Sequence, residues 1–97
     1  MSTKRATRAL SDEQFQTIGR ALADPRRFAI LQQIAASETL ACSALQEHNA
    51  ISAATISHHL KELSEAGLVA VERDGRCANL FFCRPTWQAY CKRLAAL

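Results

Sequence analysis

Residues 52 to 67 read Ser-Ala-Ala-Thr-Ile-Ser-His-His-Leu-Lys-Glu-Leu-Ser-Glu-Ala-Gly, and the reading of this stretch decides the fold. Ser52 is a residue type that caps helix N-termini by accepting a backbone N–H. Ile56, Leu60 and Leu63 follow at i, i+4 and i+7, the spacing of one buried face on a helix. Gly67 is a natural stop, because a helix end often needs a left-handed residue that only glycine adopts without cost. The spacing predicts a helix from Ala53 to about Ala66. Its outer face carries Ala54, Thr55, His58, Lys61, Glu62 and Glu65. The first half of that face is small, hydrogen-bonding and free of acids; the carboxylates come later, at Glu62 and Glu65.

Working outward, a short helix is expected over Cys42 to His48, with Leu45 inward, followed by a tight turn at Asn49-Ala50-Ile51. A short helix, a tight turn and a longer helix make a helix-turn-helix. Downstream, Leu68 to Glu72 alternates and is valine-rich, so it reads as a strand. Asp74-Gly75 reads as a two-residue type I′ turn, and Cys77 to Phe82 as the return strand. A hairpin placed directly after the second helix is a wing. Its tip, Arg73-Asp74-Gly75-Arg76, sets two arginines beside the turn, where they can straddle a phosphate backbone or enter a minor groove. The pattern predicts an interface with double-stranded DNA. Its members are Ser52, Ala54, Thr55, Ser57, His58, His59 and Lys61 on the helix, with Arg73 and Arg76 on the wing. A helix that enters the major groove N-terminus first keeps its late carboxylates away from phosphates. His58 and His59 lie about 100° apart on a helix and do not chelate one ion together. His58 points to the outer face, and His59 flanks the buried one. A polar hairpin tip used only for solubility is the plainer alternative for the arginines.

Toward the N-terminus, Ser11-Asp12-Glu13-Gln14 has the form of a capping box, with Gln14 bonding back to its cap. Phe15, Ile18 and Leu22 then mark a helix to about Ala23. Asp24-Pro25 restarts a helix, with Asp24 as cap and Pro25 in the first turn; Phe28, Leu31, Ile34 and Ala35 carry it to about Ala36. Thr39 to Ala41 is expected to be extended. At the C-terminus, Pro85 opens a last helix with Trp87, Tyr90, Cys91 and Leu94 on one stripe. The expected order is four helices, a hairpin and a fifth helix: a mainly α winged helix-turn-helix over residues 11–97, after a flexible basic arm at residues 1–10. Apolar faces on the first and last helices exceed what a short domain covers internally. Phe15, Ile18, Leu22, Trp87, Tyr90 and Leu94 are therefore read as a homodimer interface. The alternative is that both helices cap the monomer core.

The 97 residues fit one domain. The net charge is +3, but Lys4, Arg5 and Arg8 account for it; the nine other basic residues balance the nine acids. Bulk charge therefore does not argue for nucleic acid, and the pattern must. No apolar run approaches the roughly 20 residues of a membrane span, and the polar start is unlike a signal peptide. A cytoplasmic location, with Cys42, Cys77, Cys83 and Cys91 as free thiols, is expected. No Gly-rich phosphate loop or nucleophile motif speaks for an enzyme.

Three stretches carry a family resemblance. Ala23-Asp24-Pro25-Arg26-Arg27-Phe28-Ala29-Ile30-Leu31 resembles the opening motif of the ArsR/SmtB repressors. Ser57-His58-His59-Leu60-Lys61-Glu62-Leu63, continuing to Ala66-Gly67-Leu68-Val69, resembles their recognition helix. Arg73-Asp74-Gly75-Arg76 resembles their wing. The resemblance spans about residues 15 to 95. It implies a homodimer built from the first and last helices, which represses by binding an imperfect palindrome near its own promoter.

Many members release DNA on binding a metal or metalloid. The arsenic-type site is a Cys-x-Cys pair at the start of the third helix, but those positions here are Ala41 and Ser43, with Cys42 between them. The zinc-type site needs acids and histidines on the last helix, and Pro85 to Leu97 has none. No metal or cofactor is expected, and no inducer is legible. Cys42, Cys83 and Cys91 leave two readings open: small apolar fillers, or an unfamiliar metalloid or redox sensor. A winged helix used for protein contact is the other alternative. It would not need an acid-free helix start or arginines at the wing tip.

Overall fold

The computed structural model describes residues 10–48 and 52–97, the side chains at 46–48 and 74 excepted. Among the described residues, five helices and three strands follow in the order α1 (Asp12–Leu22), α2 (Pro25–Ala35), β1 (Leu40–Ala41), α3 (Cys42–His48), α4 (Ala53–Glu65), β2 (Val69–Asp74), β3 (Cys77–Phe82) and α5 (Arg84–Ala95). The expected turn at Asn49-Ala50-Ile51 and residues 1–9 of the basic arm lie outside the described residues.

The helix starts are fixed by their caps. Ser11 Oγ accepts from the Gln14 amide at 3.1 Å. Asp24 Oδ1 accepts from the Arg26 and Arg27 amides at 2.9 and 3.2 Å. Ser52 Oγ accepts from the Thr55 amide at 3.2 Å. Each satisfies backbone donors that the first helical turn leaves without a partner. The reciprocal half of the expected capping box is not formed. The Gln14 side chain instead reaches across to donate to the Ala66 carbonyl at 3.4 Å, tying α1 to the end of α4.

Gly67 closes α4 with φ +80°. The Leu68 amide donates to Leu63 O, and the Gly67 amide to Ser64 O, both at 3.0 Å. That pair of bonds is a Schellman ending, which turns the chain straight into β2.

The sheet is antiparallel in the order β1-β3-β2, with Val69 opposite Phe82, Val71 opposite Leu80 and Leu40 on the other side of Leu80. The wing is thus three-stranded at its base, and Leu80 is buried at its centre.

Three expectations need adjusting. β2 starts one residue later than read and runs to Asp74, because the Leu68 amide is used in the helix stop. The hairpin turn is Gly75-Arg76, since Asp74 pairs with Cys77. Only Gly75 has positive φ, at +63°; that is the φ pattern of a type II′ turn, not the type I′ turn expected at Asp74-Gly75. The last helix starts at Arg84, with Cys83 in the cap position and Pro85 inside the first turn.

The core joins every layer: Ile18 and Ala21 from α1, Ile30, Leu31 and Ile34 from α2, Leu45 from α3, Ile56, Leu60, Leu63 and Ala66 from α4, then Leu68, Val69, Leu80 and Tyr90. Each fully buried leucine or isoleucine contributes about 2 kcal/mol of hydrophobic free energy, so α4 is held against α1, α2 and the wing together. Ile18 (0% exposed) and Tyr90 (9%) belong to this core. They were expected at a dimer interface, but their own chain already covers them, Tyr90 stacking against Phe15 at 5.1 Å between ring centroids. Among the described residues, no helix is long and apolar enough to cross a membrane.

Candidate nucleic-acid interface

Helix α4 shows one side to the core and the other to solvent. Ser52, Ala54, Ser57, His58 and Lys61 are exposed, and Thr55 is half-buried. Thr55 Oγ1 lies 2.9 Å from Ser52 Oγ, so the two hydroxyls of the first turn hold each other in place. No acid stands in that turn. Four residues after Ser57 the surface becomes cationic at Lys61.

Between α4 and the wing lies a cleft of about 550 Å³. Ser57, Lys61, Ser64 and Glu65 line it from α4, Val71 and Arg73 from β2, and Cys42 from the start of α3. The structure therefore brings Ser57, Lys61 and Arg73 to one cleft, a hydroxyl and two cations from elements apart in sequence. Arg76 is exposed in the hairpin turn and does not line the cleft. A groove of this kind can seat an anionic backbone while the exposed N-terminal half of α4 stays free to meet what lies beyond it.

His59 does not belong with these residues. It was expected at the DNA face, but it is 5% exposed and packs on the inner side of α4, where its Nδ1 accepts from Arg27 Nε at 3.3 Å. Burial pushes its pKa below the ordinary histidine value; Asp24 opposes that shift, and Arg27, His58 and Arg26 reinforce it. Sequence reasoning missed the partner. Arg27 stands three residues after its own cap, Asp24, but nothing in local spacing shows a contact 32 positions away.

The helices at the two ends meet at Arg93. Its guanidinium donates to Asp12 Oδ1 at 2.6 Å and to the Leu10 and Ser11 carbonyls, and it lies 4.2 Å from the Phe15 ring centroid. Phe15, Leu22 and Trp87 are half-buried, and Leu94 is 42% exposed.

A family profile described as a helix-turn-helix domain matches residues 22–72, which is α2 through the first strand of the wing. The HTH-type transcriptional regulator YceK of Bacillus subtilis is 37% identical over 82 residues, 82% of each chain. The arsenical resistance operon repressor of Staphylococcus xylosus is 38% identical over 66 residues; the match takes in 68% of this chain and 62% of that repressor. A crystal structure of an ArsR family transcriptional regulator superposes with a TM-score of 0.80 at 25% identity, covering 92% of this chain and 91% of that one. The chain belongs to the ArsR family of winged helix-turn-helix transcriptional regulators.

The same fold, with a TM-score of 0.71 at 24% identity over 92% of this chain and 88% of the other, is found in a homodimeric winged helix-turn-helix DNA-binding domain of Mycobacterium bovis. In ArsR terms α4 is the recognition helix and β2–β3 the wing. The family is one of regulators, not enzymes.

The thiols of this ArsR protein are scattered. Cys77 and Cys91 are exposed, Cys42 and Cys83 half-buried, and all four are free. Burial raises the Cys83 pKa, which keeps that thiol protonated and unreactive. Among the described residues, no three His, Cys, Asp or Glu side chains gather as metal ligands would.

Proposed function

We propose that this chain is a repressor that binds double-stranded DNA as a homodimer. The observation that carries the reading is the shared cleft: Ser57 and Lys61 of the recognition helix and Arg73 of the wing line one groove, beside an exposed helix start free of acids. The phosphate backbone meets that groove at Lys61 and Arg73, whose two cations outweigh the one carboxylate there, Glu65. Ala54 and His58 meet base edges, Ser57 meets the phosphate beside Lys61, Ser52 and Thr55 hold the helix start and its phosphate contacts, and Arg76 at the wing tip reaches the neighbouring minor groove.

The dimer forms through α1 and α5. Leu94 is exposed there, Phe15, Leu22 and Trp87 are only partly covered, and the Mycobacterium bovis domain of this fold is homodimeric. Two-fold symmetry sets two recognition helices about 34 Å apart, one turn of DNA, so the operator is an imperfect palindrome. Control of its own promoter, in the cytoplasm, follows the habit of the family.

The test is selection of duplexes from a random-sequence pool, followed by affinity measurement across a salt series. A palindromic consensus with affinity falling steeply as salt rises supports the reading. No enriched sequence, or binding indifferent to salt, refutes it and leaves a protein-contact module.

A further inference from the structure

One side chain ties three helices together. Arg27 sits in the first turn of α2 with its side chain 11% exposed. Its Nη1 donates to the Arg20 and Ala21 carbonyls at 3.4 Å, in the last turn of α1. Its Nη2 lies 3.9 Å from the Asp24 carboxylate. Its Nε donates to Nδ1 of His59, in the middle of α4. The carbonyl contacts suit a cation, because the C-terminal turn of a helix presents oxygens with accepting capacity to spare and the negative end of its dipole. The His59 contact is conditional. Nδ1 accepts a hydrogen bond only while it carries no proton, and an imidazolium there would face the guanidinium charge to charge.

We propose that Arg27 is a positioning residue for DNA binding, which fixes the recognition helix to the α1–α2 corner through neutral His59, so that protonation of His59 loosens the DNA-reading face. His58, exposed beside it with ring centroids 5.9 Å apart, stands on the neighbouring position of the same helix. A shift of α4 at His59 therefore moves an exposed side chain of the proposed DNA face directly.

The charged groups that act on His59 are Asp24, Arg26 and Arg27 from α2 and its edge, and His58 from α4 itself. Asp24 favours the protonated ring; the other three and burial oppose it. The Asp24 carboxylate is held at the helix start by two backbone amides on Oδ1, and its Oδ2 faces the Arg27 guanidinium at 3.9 Å. The clamp is thus closed at neutral pH and opens under acid. The inference rests on the DNA-binding reading above for its consequence, but not for the clamp itself.

The test compares the wild-type chain with Arg27→Met and His59→Asn. The probe is a duplex of about 30 base pairs, long enough for two half-sites one turn apart, selected by the wild type at pH 7.5. The side-chain amide in His59→Asn keeps an acceptor oxygen near the Nδ1 position and does not titrate. Arg27→Met is expected to bind about tenfold more weakly at pH 7.5, the scale of one lost charged hydrogen bond. Its α4 amides should exchange hydrogen faster while those of β2 and β3 do not. Wild type should lose affinity relative to His59→Asn between pH 7.5 and 5.5. His58 and every other titrating group is common to both, so the ratio isolates His59.

Unchanged affinity and unchanged α4 protection in Arg27→Met overturn the proposal, as does a pH ratio that stays at one. Should Arg27→Met fail to fold, the His59→Asn ratio decides. Should no duplex be selected at all, the DNA reading fails, and α4 hydrogen exchange, compared at pH 7.5 and 5.5 in wild type and His59→Asn, still decides whether the clamp exists.

Discussion

Arg93 near the end of α5 donates to Asp12 at the start of α1 at 2.6 Å while its guanidinium lies over the ring of Phe15. The ion pair is exposed, and such pairs contribute little in water; the covering of Phe15 and the bonds to the Leu10 and Ser11 carbonyls matter more. Asp12→Asn should therefore change stability by no more than about 0.5 kcal/mol. Arg93→Ala should lose about 1–2 kcal/mol. Urea unfolding of the two variants checks the order; equal losses would show that the ion pair, not the stacking, holds the two helices.

Gly67 is required by its backbone conformation, while the side chain that a Cβ would meet is flexible enough to move. Its φ of +80° is one that residues with a Cβ rarely adopt, and a Cβ there would stand 2.8 Å from Gln14 Nε2. Gly67→Ala should destabilise by about 1–2 kcal/mol. Adding Gln14→Ala should recover the part due to the clash and leave the part due to φ. Full recovery in thermal melts would mean that backbone strain contributes nothing.

Ser11, Asp24 and Ser52 were legible in the sequence as caps, because capping is a matter of one side chain and the next three amides. Gly67 was legible as a stop for the same local reason. The Asp74-Gly75 pair was misread by one position: a glycine serves either primed turn, and only the pairing of Asp74 with Cys77 settles which. Apolar spacing at Ile18 and Tyr90 revealed that a buried face exists, but not whether it is buried by the same chain or by another. His59 was misplaced for a related reason. It sits on the edge between two faces of a helix, and the arginine that draws it inward comes from another helix.

The stability of the free protein should depend on pH through His59. Its folded pKa is lowered, mainly by burial. Between the folded and unfolded values, the unfolded chain binds more protons, so stability rises with pH there. The contribution is fully present above the unfolded value of about 6.5 and is lost as pH falls below it toward the folded value. Urea midpoints should drop between pH 7 and pH 5 in wild type by more than in His59→Asn; parallel curves would assign the acid sensitivity to other groups.

The cysteines should differ in reactivity. Cys83 is half-buried with its thiol pushed up by desolvation, whereas Cys77 and Cys91 are exposed. With iodoacetamide at pH 7.5, mass spectrometry should find Cys77 and Cys91 alkylated well before Cys83. Early labelling of Cys83 would reopen it as a sensor.

On the reading proposed above, DNA binding depends above all on the cleft between recognition helix and wing, lined by Lys61 from one side and Arg73 from the other. Both side chains are exposed, so reversing their charge should leave the fold intact while opposing a phosphate backbone. The double variant Lys61→Glu with Arg73→Glu should melt like wild type yet bind the selected duplex at least about a hundredfold more weakly, two phosphate contacts being lost and reversed. Wild-type affinity in that folded variant would contradict the placement of DNA in this cleft.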